Sequence, residues 1–552
     1  MLKLRPWQEI ALSKSLKWLV DDRSDNHFLI NAAPGSGKTL MACALAAELI
    51  NRDEIDRVVV IAPRNEVVNQ WAEDFKWVTN RFMGKVTASD GDISELGTDI
   101  CATWSAVQGL HDALQAVCQQ SRVLVICDEH HHAAIEAVWG KTADSAFADA
   151  AFALILTGTP VRSDGEKSIW LNYNTQGGID HPAEGSYSLT YGEAVDLGYC
   201  RPVTFHRHEG KFTVDLEDGC KVNVSGQSET KLPKELARIP GLQRALNFYR
   251  LACTPQYDTD NVTPLNSGYQ ATMVDWASSK LTELRHRMPE AGGLIIAPTI
   301  AMAEYMVKVI ELVEGEKPML VHSQMGNPEA KIRAFRNTDK RWLVSVSMVS
   351  EGVDIKRLRV LVYLPNAMTE LYFRQAIGRV VRTFSHEDDT RAYVVMPSFD
   401  TFEEYARKIE YEMPPALAKE PTTPKLKKCP ICSTESKISA TECTECGHEF
   451  GEHKKRFKSC PDCSALNNVT ASSCHACDST FAPSFVLNLD QALRNGAIVR
   501  GMDIDEDTVQ ESEEIAPKVR NLILQSGDDK LLKVIKTLPD ESMARLREIL
   551  NG

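Results

Sequence analysis

The sequence predicts an α/β protein: two parallel-sheet lobes with an insertion between them, then two small cysteine modules and a helical tail. Three observations predict it. Short apolar runs alternate with helical patterns over residues 1–170 and again over 286–410, as successive strand–helix units require. Eight of the fifteen cysteines fall between residues 429 and 477 as CxxC pairs. At 552 residues the chain also exceeds what one core organises. The net charge of −14 excludes a protein that coats polyanions by bulk charge, although placed Lys and Arg can still form a local track. The N-terminus MLKLRPWQEI lacks the apolar core of a signal peptide, and no apolar run approaches the roughly 18 residues of a membrane helix. A soluble cytoplasmic protein without a membrane partner is expected.

In the first lobe, FLINAAPGSGKT (28–39) runs from an apolar strand through a small-residue loop into the helical stretch LMACALAAELI. Strand, glycine loop, GK[ST] and helix form a phosphate-cradling arrangement. The loop Pro34-Gly35-Ser36-Gly37 would wrap around an anion, its glycines letting backbone N–H groups turn inward, with the helix N-terminus adding positive field. Lys38 would reach the β- and γ-phosphates of ATP, and Thr39 would offer its hydroxyl to Mg²⁺. Ala32 stands where such loops usually begin with glycine.

Next, RVVVIAPRNEVVNQWAEDF (57–75) reads as a buried strand followed by an amphipathic helix. In RVLVICDEHHHAA (122–134) four apolar residues lead to Asp128 and Glu129, at the strand end that faces the ligand crevice of an open parallel sheet. Asp128 would hold Mg²⁺ through water, and Glu129 would take a proton from an attacking water. Three consecutive histidines, 130–132, point in different directions and do not suit a shared metal; His131 reads as a coupling residue. FALILTGTPVRSDG (152–165) closes the lobe.

Taken together, LRPWQ (4–8), AAPGSGKT (32–39), VVIAP (59–63), ATWSAV (102–107), DEHH (128–131) and LTGTPVR (156–162) resemble, in order, the motifs of superfamily 2 helicases and translocases of the DEAH/DExH branch. The resemblance implies two RecA-like lobes, ATP and Mg²⁺ as ligands, and an adenine contact for Gln8, with Arg5 beside it. Gly158 departs from the more usual Ser/Thr-Ala-Thr of the coupling motif.

The segment 171–285 reads as an insertion, with a helical stretch at 231–252 and a turn-rich loop at 254–272. The second lobe, 286–410, repeats the strand–helix alternation without a P-loop. SEGVDI (350–355) matches motif five of the same family, placing Gly352 and Asp354 at the nucleotide. QAIGRVVR (375–382) matches motif six. On a helix, Gln375, Arg379 and Arg382 would share one face, the two arginines acting as fingers on the γ-phosphate when the lobes close. Lys331, Arg333, Arg336, Lys340, Arg341, Lys356, Arg357 and Arg359 make this lobe locally basic, and some could hold backbone phosphates.

A proline-rich linker, 411–428, precedes CPICSTESKISATECTECGHEF (429–450) and CPDCSALNNVTASSCHACDSTF (460–481). Each is CxxC, ten residues, CxxC: a duplicated zinc ribbon. Cys429, Cys432, Cys443 and Cys446 would hold one Zn²⁺, and Cys460, Cys463, Cys474 and Cys477 a second. His448, His453 and His475 are spare donors. Redox-active CxxC is the alternative, without a thioredoxin-like context to support it. The last segment, 482–552, reads as an acidic linker, with seven acids at 503–514, and a helical tail (530–550).

The chain is similar to helicases of the RadD type, with restriction-enzyme motor subunits as further relatives. That implies a nucleic-acid-stimulated ATPase, with DNA as the expected partner, in repair, recombination or defence against foreign DNA. A helicase, a double-strand translocase, and an ATP-gated recognition module whose ribbons or tail recruit a protein partner all stay open.

Overall fold

The computed structural model describes residues 3–63, 65–86, 93, 98–107, 109–130, 138–158, 170–171, 181–216, 221–226, 242–346, 355–383, 388, 390–413, 426–429, 431–437, 443, 445–446, 457–460, 465–468, 471, 473–477, 481–489, 491 and 499–504. The expected positions His131, Gly352, Asp354, His448, His453 and Cys463, and the helical stretch expected at 530–550, lie outside them.

The first lobe holds β1 (His27–Ala32), β2 (Arg57–Ala62), β3 (Met83–Val86), β4 (Asp99–Thr103), β5 (Val123–Cys127), β6 (Phe152–Thr157) and β7 (Ser186–Leu189). They lie in the order β3-β4-β2-β5-β6-β1-β7, every pair parallel. Their apolar runs are continuous because both faces are covered. Val58, Val60 and Ala62 pack with Trp71 and Phe75 on one face, while Val59 and Ile61 pack with Leu114 and Cys118 on the other. The order sets β5, β6 and β1 side by side. Being parallel, they deliver the loops after Ala32, Cys127 and Thr157 to one edge of the sheet.

The second lobe holds β8 (Val203–His208), β9 (Lys211–Asp215), β10 (Lys221–Ser225), β11 (Gly292–Ile296), β12 (Met319–Val321), β13 (Trp342–Ser345), β14 (Leu358–Tyr363) and β15 (Ala392–Pro397). Its parallel sheet runs β12-β13-β11-β14-β15-β8. The segment between the lobes therefore feeds both sheets, giving β7 to the first and β8 to the second.

Two antiparallel hairpins follow, β16 (Leu426–Lys428) with β17 (Glu435–Lys437), and β18 (Phe457–Ser459) with β19 (Leu466–Asn468). The chain then returns. β20 (Ser484–Asn488) pairs in parallel with β9, and Phe485 packs on Phe212 and Tyr269. Arg500 exchanges backbone hydrogen bonds with the 366–368 segment: Arg500 N donates to Asn366 O, and Met368 N donates to Arg500 O, each 2.8 Å. Asp503, read from sequence as part of an acidic linker, is instead a buried ion-pair partner of Arg250.

The structure also reassigns part of the basic surface expected on this lobe. Arg359 is fully buried and pairs with Asp388 at 2.9 Å, which Arg201 also holds at 2.5 Å. Arg357 is buried and donates to the carbonyls of Phe335, Lys340 and Glu290. Arg341 pairs with Glu314. Arg333 and Arg336 remain exposed on the helix Pro328–Arg336. No helix among the described residues is long and apolar enough to cross a membrane.

Candidate nucleotide site and cysteine centres

A cavity of about 280 Å³ opens at the C-terminal edge of the first sheet, walled by both lobes. Lys38, Thr39, Asp128 and Glu129 line it from one side, and Gln375, Arg379 and Arg382 from the other. Six of these seven are charged or carry a side-chain amide, so the cavity suits a multiply charged ligand.

The loop's conformation follows from its glycines. Gly35 and Gly37 sit at φ +82° and +98°, the left-handed region that favours glycine. Gly37 caps the helix Lys38–Asn51 with no side-chain hydrogen bond, leaving the N-terminal field at the cavity. Lys38 Nζ donates to Ala32 O at 2.8 Å. A Cβ on Gly158 would stand 2.9 Å from that Nζ, so the glycine in this motif leaves room for the lysine tip in the position it takes here.

At the end of β5, Asp128 is 7% exposed. Burial, reinforced by the charge of Glu129, pushes its carboxyl upward, against the pull of hydrogen bonding to Trp71 and the charge of Lys38. Glu129 takes φ +50°, a left-handed conformation costing about 1–3 kcal/mol in a non-glycine residue. That turn ends the strand and sets the side chain at the cavity wall.

Gln8 is buried and braces the loop from within: its Nε2 donates to Gly37 O at 2.8 Å, and its Oε1 accepts from Arg5 N at 2.7 Å. Arg5 is the residue of this pair that lines the cavity, its guanidinium 4.6 Å from the Tyr199 ring centre. Ser36 is buried and gives its carbonyl to Arg5 and Trp7.

From the second lobe, the helix Glu370–Val380 carries Gln375 and Arg379 on one face. Arg382 lies just beyond the helix end, bridged to Cys200, yet reaches the same wall. The lobes touch closely here: a Cβ on Gly378 would meet Pro34 at 2.8 Å, and one on Gly35 would meet Arg382 at 2.9 Å. Sequence reasoning missed Arg5's neighbour Tyr199, and also Trp71, which donates to Asp128. The readable signal for Trp71 is position: its helix, Asn65–Thr79, starts at the same sheet edge.

In the first cysteine module the sulfurs of Cys429, Cys432, Cys443 and Cys446 lie within 4.8 Å of one another. Cys429–Cys446 is 3.6 Å and Cys432–Cys443 3.5 Å. A tetrahedral zinc with ~2.3 Å Zn–S bonds needs sulfur separations of roughly 3.8 Å, so the set fits that ion. In the second, Cys460, Cys474 and Cys477 form the same constellation, with Cys460–Cys477 at 3.7 Å. Backbone N–H groups of Ile431 and Ala476 donate to Cys429 and Cys474 at 3.4 Å, as thiolate ligands favour. His475 turns its Nδ1 to Asn467, not to the sulfurs.

Comparison with known proteins gives two family matches: "Type III restriction enzyme, res subunit" over residues 1–162 and "Helicase conserved C-terminal domain" over 277–384. Among curated relatives, the uncharacterized protein Rv2917 of Mycobacterium tuberculosis is 31% identical over 410 residues, covering 74% of this chain and 64% of that one. ML1624 of Mycobacterium leprae is 30% identical over 444 residues, covering 80% and 70%. The chain thus spans about 64% of the length of the first of these relatives. Among solved structures, the DNA-bound Type ISP restriction-modification enzyme LlaBIII matches at 17% identity and a TM-score of 0.46, covering 72% of this chain and 28% of that one.

Proposed function

Because the chain belongs to the superfamily 2 helicases, in one family with its mycobacterial relative, we propose that it is an ATP-driven motor acting on nucleic acid, DNA in the first instance. The observation that carries this reading is the single cavity lined by Lys38, Asp128 and Glu129 from one lobe and by Gln375, Arg379 and Arg382 from the other. We place the division between the lobes within the connection from Leu189 to Val203.

The residues divide the work as follows. Backbone N–H groups of the loop and the N-terminus of its helix receive the phosphates, and Lys38 leaves Ala32 O to neutralise them. Thr39 and Asp128 would hold Mg²⁺, which supplies further neutralisation of the phosphate oxygens. Glu129 accepts the proton of the attacking water. Arg379 and Arg382 bring positive charge to the transferring phosphoryl group from the opposite wall, so hydrolysis depends on the lobes being together. Nucleic acid bound across both lobes would favour that arrangement and couple hydrolysis to movement. DNA is favoured as substrate by the restriction-subunit family match over residues 1–162. Repair or defence against foreign DNA is the proposed setting.

Each cysteine module would hold one Zn²⁺ through four thiolates, with Cys463 as the fourth ligand of the second. A recognition role for these modules is a second reading, favoured by the chain's return to the core: residues 499–504 clasp the 366–368 segment that leads into the helix bearing Arg379. A ligand on the ribbons would act on that helix through this clasp.

ATP turnover measured against single-stranded, duplex and forked DNA and against RNA, at two salt concentrations, tests the proposal. Stimulation at least tenfold by a DNA form, weakened by salt, is expected. Equal stimulation by RNA would overturn the DNA preference, and stimulation by none of them would overturn the motor reading in favour of recognition.

A further inference from the structure

Trp71 is fully buried in the first lobe's core, where an indole N–H ordinarily finds a backbone carbonyl. Here it finds a carboxylate instead. Its Nε1–H donates to Oδ2 of Asp128 at 2.8 Å. A second indole, that of Trp104, donates to the backbone carbonyl of Asp128 at 3.1 Å, and Asp128 N donates to Ile61 O at 2.9 Å. The backbone N–H of Glu129 also donates to the Asp128 carboxyl. Residue 128 is therefore fixed at its backbone by Trp104 and the sheet, and at its side chain by Trp71.

The two contacts divide the consequences. Losing Trp104's bond leaves the carboxylate where it is. Losing Trp71's frees the Asp128 side chain to rotate, because the Glu129 N–H alone does not fix its plane. A carboxylate that receives an ion through water is sensitive to orientation, since its partner is a hydration shell of defined geometry. Val67 and Asp74, four residues before Trp71 and three after it on the same helix, and its neighbour Gln70 are all at the cavity wall, yet Trp71 does not line the cavity itself. It acts from behind.

We propose that Trp71 is a positioning residue that holds the Asp128 carboxylate in the orientation that receives Mg²⁺; this rests on the reading of Asp128 given above. The full-length protein is titrated with Mg²⁺ while binding of a fluorescent ATP analogue is followed, and the analogue's affinity is also measured in EDTA. In Trp71→Phe the Mg²⁺ midpoint should rise about tenfold, with affinity in EDTA unchanged. Trp104→Phe, a comparable loss from the packing on the opposite face of the same sheet, should lower the melting temperature but keep the Mg²⁺ midpoint within twofold. A midpoint within twofold of wild type in Trp71→Phe would reduce Trp71 to core packing and overturn the proposal. Should Trp71→Phe fail to fold, placing 3-benzothienylalanine at position 71 keeps the ring's size while removing its N–H, and the same midpoint decides. Asp128→Asn separates the two levels of inference. An unmoved midpoint there defeats the reading of Asp128 itself, whereas a moved midpoint there with an unmoved one at position 71 defeats only the role of Trp71.

Discussion

In the first lobe, Lys38, Asp128 and Glu129 gather where strands end and face a cavity; in the second, Arg201, Arg357 and Arg359 lie inside the packing, tied to Asp388 and to backbone carbonyls. Both lobes are parallel sheets with helices on their faces. The difference is where charge sits relative to the C-terminal edge of the strands. Charge at that edge is offered to the cavity; charge at the other end and between elements is taken up by the packing. Among the described residues of the second lobe, Gln375, Arg379, Arg382 and Thr383 cross over to the first lobe's cavity, carried by the helix Glu370–Val380 and the residues after it, and Lys356 reaches it from the segment before β14.

The largest expected effects test that division directly. Lys38→Ala should reduce ATP turnover to background, and Glu129→Gln should bind ATP tightly without hydrolysing it; normal turnover in either would remove them from the site. Arg379→Ala and Arg382→Ala should each lower kcat by roughly 10³-fold or more while the melting temperature holds. Arg359→Ala should do the reverse in kind. It strips one of the two buried arginines from Asp388, which Arg201 still holds, and should lower stability in denaturant titration by about 1–3 kcal/mol through the lost hydrogen bonds and packing. An Arg359 variant that folds normally yet fails to hydrolyse would break the comparison.

A smaller effect is expected at Gly158. In Gly158→Ala the new methyl meets the Lys38 ammonium at 2.9 Å, and displacement of that lysine should lower kcat about tenfold without changing the melting temperature. An unchanged kcat would mean that Lys38 moves aside freely. The cysteine modules sharpen the same contrast. Cys429→Ser should release one zinc per chain, measured by metal analysis, and leave basal turnover nearly intact, because none of the modules' described residues lines the cavity.

Much of this was legible in the sequence, for identifiable reasons. The P-loop, the Asp128-Glu129 pair and the CxxC spacing are local patterns whose chemistry is written in a few adjacent residues. What stayed hidden depends on contacts between distant residues. Arg357 and Arg359 look like surface charge in one dimension, and only the sheet's closure shows them buried. Gly158 looks like a departure until Lys38 is beside it. Arg382 sits past its helix end, so helical spacing alone would not have placed it, and the bridge to Cys200 does. Residues 484–504 read as linker because neither β20 nor the Arg250–Asp503 pair has a local signature; both are made by return to β9 and to the helix Phe248–Ala252.

The smallest predicted effect concerns a half-buried polar group of the second lobe that is structural by the same argument. His208 ends β8, its Nε2 at 3.1 Å from Thr272 Oγ1 and its ring edge-on to Tyr269. Burial, with the neighbouring His206 adding to it, lowers its pKa to about 4. An unfolded histidine titrates near 6.5. Between those values the unfolded chain binds a proton that the folded chain refuses, so stability falls as pH drops from about 6.5 toward 4, by at most about 1.4 kcal/mol per pH unit. His206, stacked on Trp276 at 3.9 Å and also lowered by burial, adds to the same slope. His208→Gln should keep a hydrogen bond to Thr272 and flatten the dependence of denaturation midpoint on pH over that window, with ATP turnover at neutral pH unchanged. A variant with the wild-type slope would place the titrating group elsewhere. One that lost turnover instead would mean that this end of β8 communicates with the cavity, and that the second lobe's buried polar groups do more than hold it together.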